Sequence, residues 1–153
     1  MIILVTGSSG FVGETLIPKL QSLGHQIIGI DHSDGQYTTK NIDISKPFTI
    51  EQKIDAVIHL AAKLVHHRSS YNEYYQTNAD GTKNLLDVAL KSNAFFVYVS
   101  TNAVYGSPES PMTENTKIAP RDGYAKTKLV GEQICKEYES KGLEIAIVRP
   151  SVL

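Results

Sequence analysis

Short apolar runs and longer amphipathic segments alternate along the whole chain. Apolar runs without polar alternation predict strands covered on both faces, and apolar residues at helical spacing predict helices. The predicted strands span residues 2–5, 26–30, 41–44, 55–60, 94–100 and 144–148. The predicted helices span residues 11–23, 70–91 and 123–141. This order predicts an α/β fold in which βα units surround a parallel sheet.

The remaining long segments are expected to be loops. Residues 31–40 are polar and leave no room for a full helix, and residues 106–121 contain three prolines. No internal repeat or linker divides the sequence, and its length suits one domain with a substantial hydrophobic core. We therefore predict a single domain over residues 1–153.

Composition and charge exclude several classes of protein. The net charge of -1 gives no electrostatic reason to expect binding to nucleic acid or to an anionic membrane. A single cysteine excludes an internal disulfide. No apolar run approaches the roughly 18 residues that a transmembrane helix needs. We expect a cytoplasmic protein.

The histidines do not predict a metal site. They stand at positions 25, 32, 59, 66 and 67, without the spacing of a zinc site. His66-His67-Arg68 could reach a substrate from the loop after the fourth strand, although a solvated loop is the simpler interpretation. We predict no metal.

Glycines between the first strand and its helix are typical of a dinucleotide-binding turn. Gly7 permits a tight turn, Gly10 lets the backbone approach a pyrophosphate, and Gly13 allows helix and strand to pack closely. The free N–H groups at the start of the helix favour an anion. Such glycines also occur in turns without a ligand, but their place directly after an apolar N-terminal strand favours a Rossmann-type doubly wound sheet.

An acidic residue at the end of the second strand indicates which dinucleotide binds. Asp31 can bond the adenosine ribose hydroxyls and would repel a 2′-phosphate, and His32-Ser33-Asp34 offers no arginine or lysine to hold one. We therefore predict NAD rather than NADP. A solvated strand-end aspartate is the alternative. Asp43 and Ile44, after the third strand, are candidates for contact with the adenine.

A tyrosine and a lysine four residues apart form the candidate catalytic pair. Tyr124 and Lys128 would share one face of a helix, where the lysine cation would favour the phenolate. Thr101 ends the fifth strand, and its hydroxyl could bond the same substrate oxygen. Together they could move a proton off a hydroxyl as hydride leaves its carbon. An amphipathic helix with a surface lysine is the alternative, as Lys126 illustrates.

The joint pattern resembles the extended short-chain dehydrogenase/reductase family, in particular its NAD-dependent epimerase/dehydratase branch, which includes UDP-glucose 4-epimerase. The matching motifs run in family order: TGSSGFVG at 6–13, Asp31, Asp43-Ile44, HLAA at 59–62, TNADGTKNLL at 77–86, VSTNAVYG at 99–106, YAKTK at 124–128 and VRP at 148–150. The resemblance covers nearly the whole chain.

The resemblance implies a role for each matching position. Thr101, Tyr124 and Lys128 would be catalytic, with Tyr124 as general acid/base and Lys128 bonding the nicotinamide ribose. Asn78 would fix backbone and cofactor geometry within the long helix. The implied cofactor-binding residues are Gly7, Ser9, Gly10, Phe11, Val12, Gly13, Asp31, Asp43, Ile44, Leu60, Ala61, Ala62, Asn78, Tyr124 and Lys128, with Lys63 and Leu64 beside them.

Two departures from the family pattern bear on the reaction. Dehydratases of this branch usually carry an Asp-Glu pair directly after the catalytic threonine, where this chain has Asn102 and Ala103. Neither side chain can serve as an acid or base, so epimerisation of a nucleotide-diphosphate sugar is favoured. A reductase or dehydrogenase on the same scaffold and a non-catalytic NAD-binding module are the alternatives.

Relatives in this branch continue beyond a point equivalent to Leu153. They add a final sheet strand and a smaller region that holds the sugar nucleotide, so we expect this chain to be the cofactor-binding part of a longer enzyme. The resemblance also implies a homodimer through the helices near 70–91 and 123–141, with a monomer as the alternative. The segment between the second and third strands is short for the family, so a more open adenine side is expected.

Overall fold

A computed structural model describes residues 1–65, 69–108 and 111–151. Its six parallel strands form one sheet in the order β3-β2-β1-β4-β5-β6. The strands are β1 (Ile2–Thr6), β2 (Gln26–Asp31), β3 (Lys40–Asn41), β4 (Ala56–His59), β5 (Phe95–Val99) and β6 (Ile145–Val148). This is the strand order of a Rossmann fold, so the predicted fold class is confirmed.

Four α-helices accompany the sheet in the described ranges. They are α1 (Phe11–Ser22), α2 (Tyr71–Tyr75), α3 (Gly81–Ser92) and α4 (Gly123–Glu139). No helix in these ranges is long and apolar enough to cross a membrane. The predicted 106–121 loop has neither helix nor strand in its described part, and His66-His67-Arg68 lies outside the described residues.

Alternate residues of β1 pack against opposite sides of the sheet, as the covered strands predicted. Ile3 and Val5 contact Ile17 of α1 on one side. Leu4 belongs to the larger cluster on the other side, which includes Leu85 of α3 and reaches Cys135 and Tyr138 of α4. Because side chains alternate along a strand, residues of β1 pack on both faces of the sheet, and both faces are covered. A ligand-binding site is therefore expected at an edge of the sheet.

Two elements differ from the sequence prediction. β3 has only two residues, because the chain turns directly after it, where Lys46 N–H bonds the Asp43 carbonyl at 3.1 Å. The long helix predicted over 70–91 is interrupted by a π-helical turn, Gln76–Asp80, between α2 and α3. Such turns insert one extra residue and often occur near functional sites.

Candidate active site

A single cavity of about 810 Å³ follows the carboxyl-terminal edge of the sheet. It extends from the glycine turn after β1, past Asp31, to Thr101 and Tyr124. This edge is where open parallel sheets bind ligands, and the volume suits a small organic molecule or cofactor. Of the predicted site residues, the wall contains Gly7, Ser9, Gly10, Phe11, Val12, Gly13, Asp31, Asp43, Ile44, Leu60, Ala61, Ala62, Thr101 and Tyr124.

The glycine turn is too tight for side chains. Gly7 has a φ of +69°, and a Cβ there would lie 2.9 Å from the Ala61 nitrogen. A Cβ on Gly13 would lie 2.3 Å from the Gly7 carbonyl oxygen, inside any permissible contact. Gly10 is the N-cap of α1 and offers no side chain to the first N–H groups of the helix. The residues that carry these N–H groups, 10–13, line the cavity, and this arrangement suits a pyrophosphate.

Asp31 is positioned by three neighbours beside this turn. Its carboxylate accepts hydrogen bonds from the Ser9 N–H at 3.1 Å and the Ser33 N–H at 3.2 Å, and His32 Nδ1 lies 2.9 Å away. Burial by itself raises the pKa of Asp31, but these hydrogen bonds and His32 outweigh it and hold the pKa below its usual value. Asp31 is therefore an anion at neutral pH, as a ribose-binding carboxylate requires.

Asp43 and Ile44 form part of the cavity wall near Asp31 but contribute in different ways. Ile44 is buried and its carbonyl accepts a hydrogen bond from Asn84 at 2.9 Å, so it presents a fixed apolar surface. One oxygen of Asp43 accepts from both the backbone N–H and the hydroxyl of Ser45. That bonding stabilises the turn after β3 and leaves the second carboxylate oxygen beside Lys46 at 3.6 Å.

A buried histidine links the ends of β1 and β4 to the π-helical turn. His59 Nδ1 lies 2.8 Å from the Thr6 hydroxyl, which also accepts from the Ala61 N–H at 3.0 Å. His59 Nε2 lies 3.0 Å from the Thr82 hydroxyl, which donates to the Asn78 carbonyl at 2.7 Å. This chain of bonds fixes the Ala61 backbone against the glycine turn.

Asn78 lies behind the cavity wall rather than in it. Its side chain accepts from the Lys63 N–H at 2.8 Å and donates to the Lys63 carbonyl and to the Thr127 hydroxyl, both at 3.2 Å. It therefore connects the loop after β4 to α4, three residues after Tyr124. The structure thus assigns this fully buried residue to the support of the cavity, and direct contact with a cofactor stays a prediction.

Thr101 and Tyr124 meet at the far end of the cavity. Thr101 caps the short 3₁₀ turn Asn102–Tyr105, with its hydroxyl accepting from the Ala103 N–H at 3.2 Å. Tyr124 lies in the first turn of α4, which Asp122 caps through the Ala125 N–H at 2.7 Å. Burial raises the pKa of Tyr124, and the neighbouring Thr101 hydroxyl opposes that rise. At neutral pH the phenol is therefore protonated.

Lys128 lies on the same face of α4 as Tyr124 but is buried. Its side chain is 1% exposed and is not part of the cavity wall, and its Nζ lies 4.2 Å from the centroid of the Tyr98 ring. Burial lowers the pKa of Lys128 to about 7, with Cys135 and Glu132 opposing the fall. The expected lowering of the Tyr124 pKa by this lysine is not observed. Its predicted bond to a nicotinamide ribose stays a prediction.

Several residues at the Thr101 end were not predicted from the sequence. Ser100, Pro150 and Ser151 line the cavity there, and Glu132 is buried beneath them on α4. The spacing of four residues from Lys128 to Glu132 was the available signal, since it continues the face that carries Tyr124. Among the described residues no cluster of three His, Cys, Asp or Glu side chains could hold a metal ion.

Comparisons with known proteins agree with this site. Residues 3–153 match the sequence model of the NAD dependent epimerase/dehydratase family. An uncharacterized UDP-glucose epimerase of Bacillus subtilis is 33% identical over 97% of this chain and 55% of its own length. UDP-glucuronic acid decarboxylase 1 of Danio rerio is 32% identical over 96% of this chain and 40% of its own. The structure of UDP-glucuronic acid 4-epimerase from Bacillus cereus in complex with NAD is 30% identical, with a TM-score of 0.84 over 97% of this chain and 55% of that one.

These comparisons bear on cofactor and coverage. The matching family is NAD-dependent and the matching structure was solved with NAD, so the predicted cofactor is confirmed at the level of the family. The chain spans about half the length of the curated relatives it matches. Their names describe more than one reaction on nucleotide sugars.

Proposed function

Because this chain belongs to the NAD dependent epimerase/dehydratase family, we propose that it is the cofactor-binding part of an epimerase that acts on a nucleotide-diphosphate sugar. One observation carries the proposal: a single cavity joins the glycine turn and Asp31 to Thr101 and Tyr124. A dinucleotide held at the first end would bring its reactive ring towards the second. Proximity of cofactor and acid/base is the main requirement of such chemistry.

The residues at the far end suit reversible removal of a proton from a sugar hydroxyl. When bound, NAD supplies the acceptor and later the donor of hydride. Tyr124, once ionised to the phenolate, takes the hydroxyl proton and afterwards returns it, and the neighbouring Thr101 hydroxyl favours the phenolate form. Because burial raises the pKa of Tyr124, the proton-returning acid is the stable form at neutral pH.

The segment after Thr101 favours epimerisation over dehydration. Asn102 and Ala103 open a 3₁₀ turn and provide neither a carboxylate nor another group that could expel water. Epimerisation needs only the return of hydride to the same carbon, on its opposite face, and of the proton to the oxygen. Decarboxylation is the second candidate, because the Danio rerio relative is named as a UDP-glucuronic acid decarboxylase. It would begin with the same oxidation, in which bound NAD would accept the hydride and Tyr124 the hydroxyl proton.

Two measurements test the proposal in sequence. Calorimetry on the purified chain should show one NAD bound per chain, and failure to bind would refute the proposal. The longer enzyme that contains this chain is then incubated with NAD and either UDP-glucose, UDP-galactose or UDP-glucuronic acid, and the products are separated by chromatography. An epimeric sugar supports the first candidate, loss of carbon dioxide the second, and NAD binding without turnover the non-catalytic module.

Tyr124→Phe identifies the acid/base in the active protein. We expect turnover to fall by about 100-fold or more, the usual contribution of a positioned acid/base, with NAD affinity nearly unchanged. Tyr71→Phe is the matched control, since Tyr71 is 51% exposed and outside the cavity wall. Full turnover by Tyr124→Phe would remove Tyr124 from its proposed role.

A further inference from the structure

A buried cluster of polar side chains lies beneath the Thr101 end of the cavity, with Glu132 at its centre. Glu132 Oε1 accepts hydrogen bonds from the Ser100 hydroxyl at 2.6 Å and from Arg149 Nε at 2.8 Å. Glu132 Oε2 pairs with Arg149 Nη2 at 2.5 Å. Arg149 Nη1 donates to the Tyr105 hydroxyl at 2.6 Å. One carboxylate on α4 thereby gathers side chains from the ends of β5, β6 and the 3₁₀ turn.

The two residues that bond Glu132 directly, Ser100 and Arg149, are each adjacent in sequence to a residue of the cavity wall. Ser100 directly precedes Thr101, and Arg149 directly precedes Pro150. Backbone bonds close the same region, with the Ser100 N–H donating to Val148 at 2.7 Å and the Asn102 N–H to Pro150 at 3.0 Å. The cluster therefore fixes the segments on both sides of Thr101.

Stability alone is a weak reason for this arrangement. Glu132 is 1% exposed, and the free-energy cost of taking a carboxylate out of water is roughly what its attraction to a cation returns. Well-packed apolar side chains would often stabilise a fold as well. What an ion pair with a bidentate guanidinium adds is a defined geometry.

Tyr124, Lys128 and Glu132 occupy successive turns of one face of α4. We propose that Glu132 is a positioning residue, whose carboxylate holds the end of β5 against α4 so that the Thr101 hydroxyl meets the Tyr124 phenol. The inference rests on the proposed function for its purpose, but its geometry concerns this chain alone. Glu132 itself acts through Ser100 and Arg149 and touches no reacting atom.

The test measures how Tyr124 titrates, by carbon-13 NMR of tyrosine Cζ, with Tyr124→Phe used to assign the signal. Thr101→Ala removes the hydroxyl beside Tyr124 and should raise the pKa of Tyr124, and this rise is the largest that loss of the Thr101 contact can produce. Ser100→Ala leaves every charge in place and removes only the hydrogen bond that joins the end of β5 to Glu132. We expect Ser100→Ala to raise the pKa of Tyr124 by about half or more of the rise that Thr101→Ala causes. The double variant should show the same pKa as Thr101→Ala alone.

Glu132→Gln is a second variant, for which the direction of the shift in the Tyr124 pKa distinguishes the explanations. Loss of a nearby negative charge by itself would lower the pKa of a phenol, whereas loss of the Thr101 contact raises it. A rise therefore supports positioning, and a fall or no change contradicts it. Glu137→Gln is the matched control, because Glu137 is exposed on the same helix. The proposal would be overturned if the pKa of Tyr124 rises in Thr101→Ala but is unchanged in Ser100→Ala.

A second measurement at pH 7 avoids alkaline conditions. The Ala103 N–H, which bonds the Thr101 hydroxyl, should exchange its hydrogen about tenfold faster in Ser100→Ala if Thr101 is released. Equal exchange in wild type and variant would contradict the inference. Neither readout uses NAD or substrate, so failure of the wild-type chain to bind NAD would end the proposed function and leave this test intact.

Discussion

Lys128→Met should stabilise the protein at neutral pH, and the gain should vanish as the pH rises. Lys128 is 1% exposed, and burial lowers its pKa from 10.5 to about 7. The unfolded chain keeps an ordinary lysine. Between pH 7 and 10.5 the unfolded state therefore binds more protons than the folded state, so the stability of the wild type rises with pH.

The size of the effect follows from the two pKa values. Each unit between them corresponds to about 1.4 kcal/mol, so the destabilisation by Lys128 approaches about 5 kcal/mol below pH 7 and disappears above pH 10.5. Methionine keeps most of the apolar stem and removes the titrating group. It also loses the contact with the Tyr98 ring, which is worth about 2 kcal/mol when desolvated. A net gain of about 2 to 3 kcal/mol is therefore expected at pH 6.5.

Urea denaturation at pH 6.5, 8 and 9.5 measures this difference. The chain has no tryptophan, so far-ultraviolet circular dichroism is the suitable signal. Lys126→Met is the control, because Lys126 is exposed on the same helix and should show no comparable dependence on pH. A difference between Lys128→Met and wild type that stays constant from pH 6.5 to 9.5 would refute the reasoning.

Two further predictions concern the other end of the cavity. Gly13→Ala places a Cβ 2.3 Å from the Gly7 carbonyl oxygen, and the backbone shift it forces should weaken NAD binding about tenfold or more by calorimetry; unchanged affinity in a folded variant would contradict the assignment of this turn. Asp31→Asn keeps an acceptor for the Ser9 N–H but removes the charge, so NAD affinity should fall about tenfold while NADP affinity falls less. Asp34→Asn, at an exposed neighbour, should leave the ratio of the two affinities unchanged.

The elements of the fold could be predicted because each depends on local pattern. Continuous apolar runs such as DAVIHL identify strands covered on both faces, and the glycines after β1 identify the turn because only glycine fits it. The π-helical turn could not be predicted. It depends on Asn78 reaching Lys63 and Thr127, which are distant in sequence from the residues that set helix propensity.

The sequence predicts which residues form the candidate site better than it predicts their protonation states. Thr101, at the end of the fifth strand, was expected to bond the same substrate oxygen as Tyr124, and the structure brings the two residues to one end of the cavity. The protonation of Lys128 was not predictable, because it depends on the apolar surroundings and the Tyr98 ring that tertiary packing supplies. Glu132 was missed for a similar reason, since its partners Ser100 and Arg149 come from two different strands.

The hydrogen bonds around His59 permit only one arrangement of protons. The Thr82 hydroxyl donates its single proton to the Asn78 carbonyl. The proton between Thr82 and the imidazole must therefore belong to Nε2. Thr6 already receives the Ala61 N–H, and its own proton therefore points to Nδ1. The imidazole is consequently a neutral ring of fixed tautomer, in keeping with a pKa that burial lowers well below 6.5. Serine at position 6 or 82 would preserve these hydrogen bonds and their directions. Valine at either position would leave one buried nitrogen of the His59 ring without a hydrogen-bond partner.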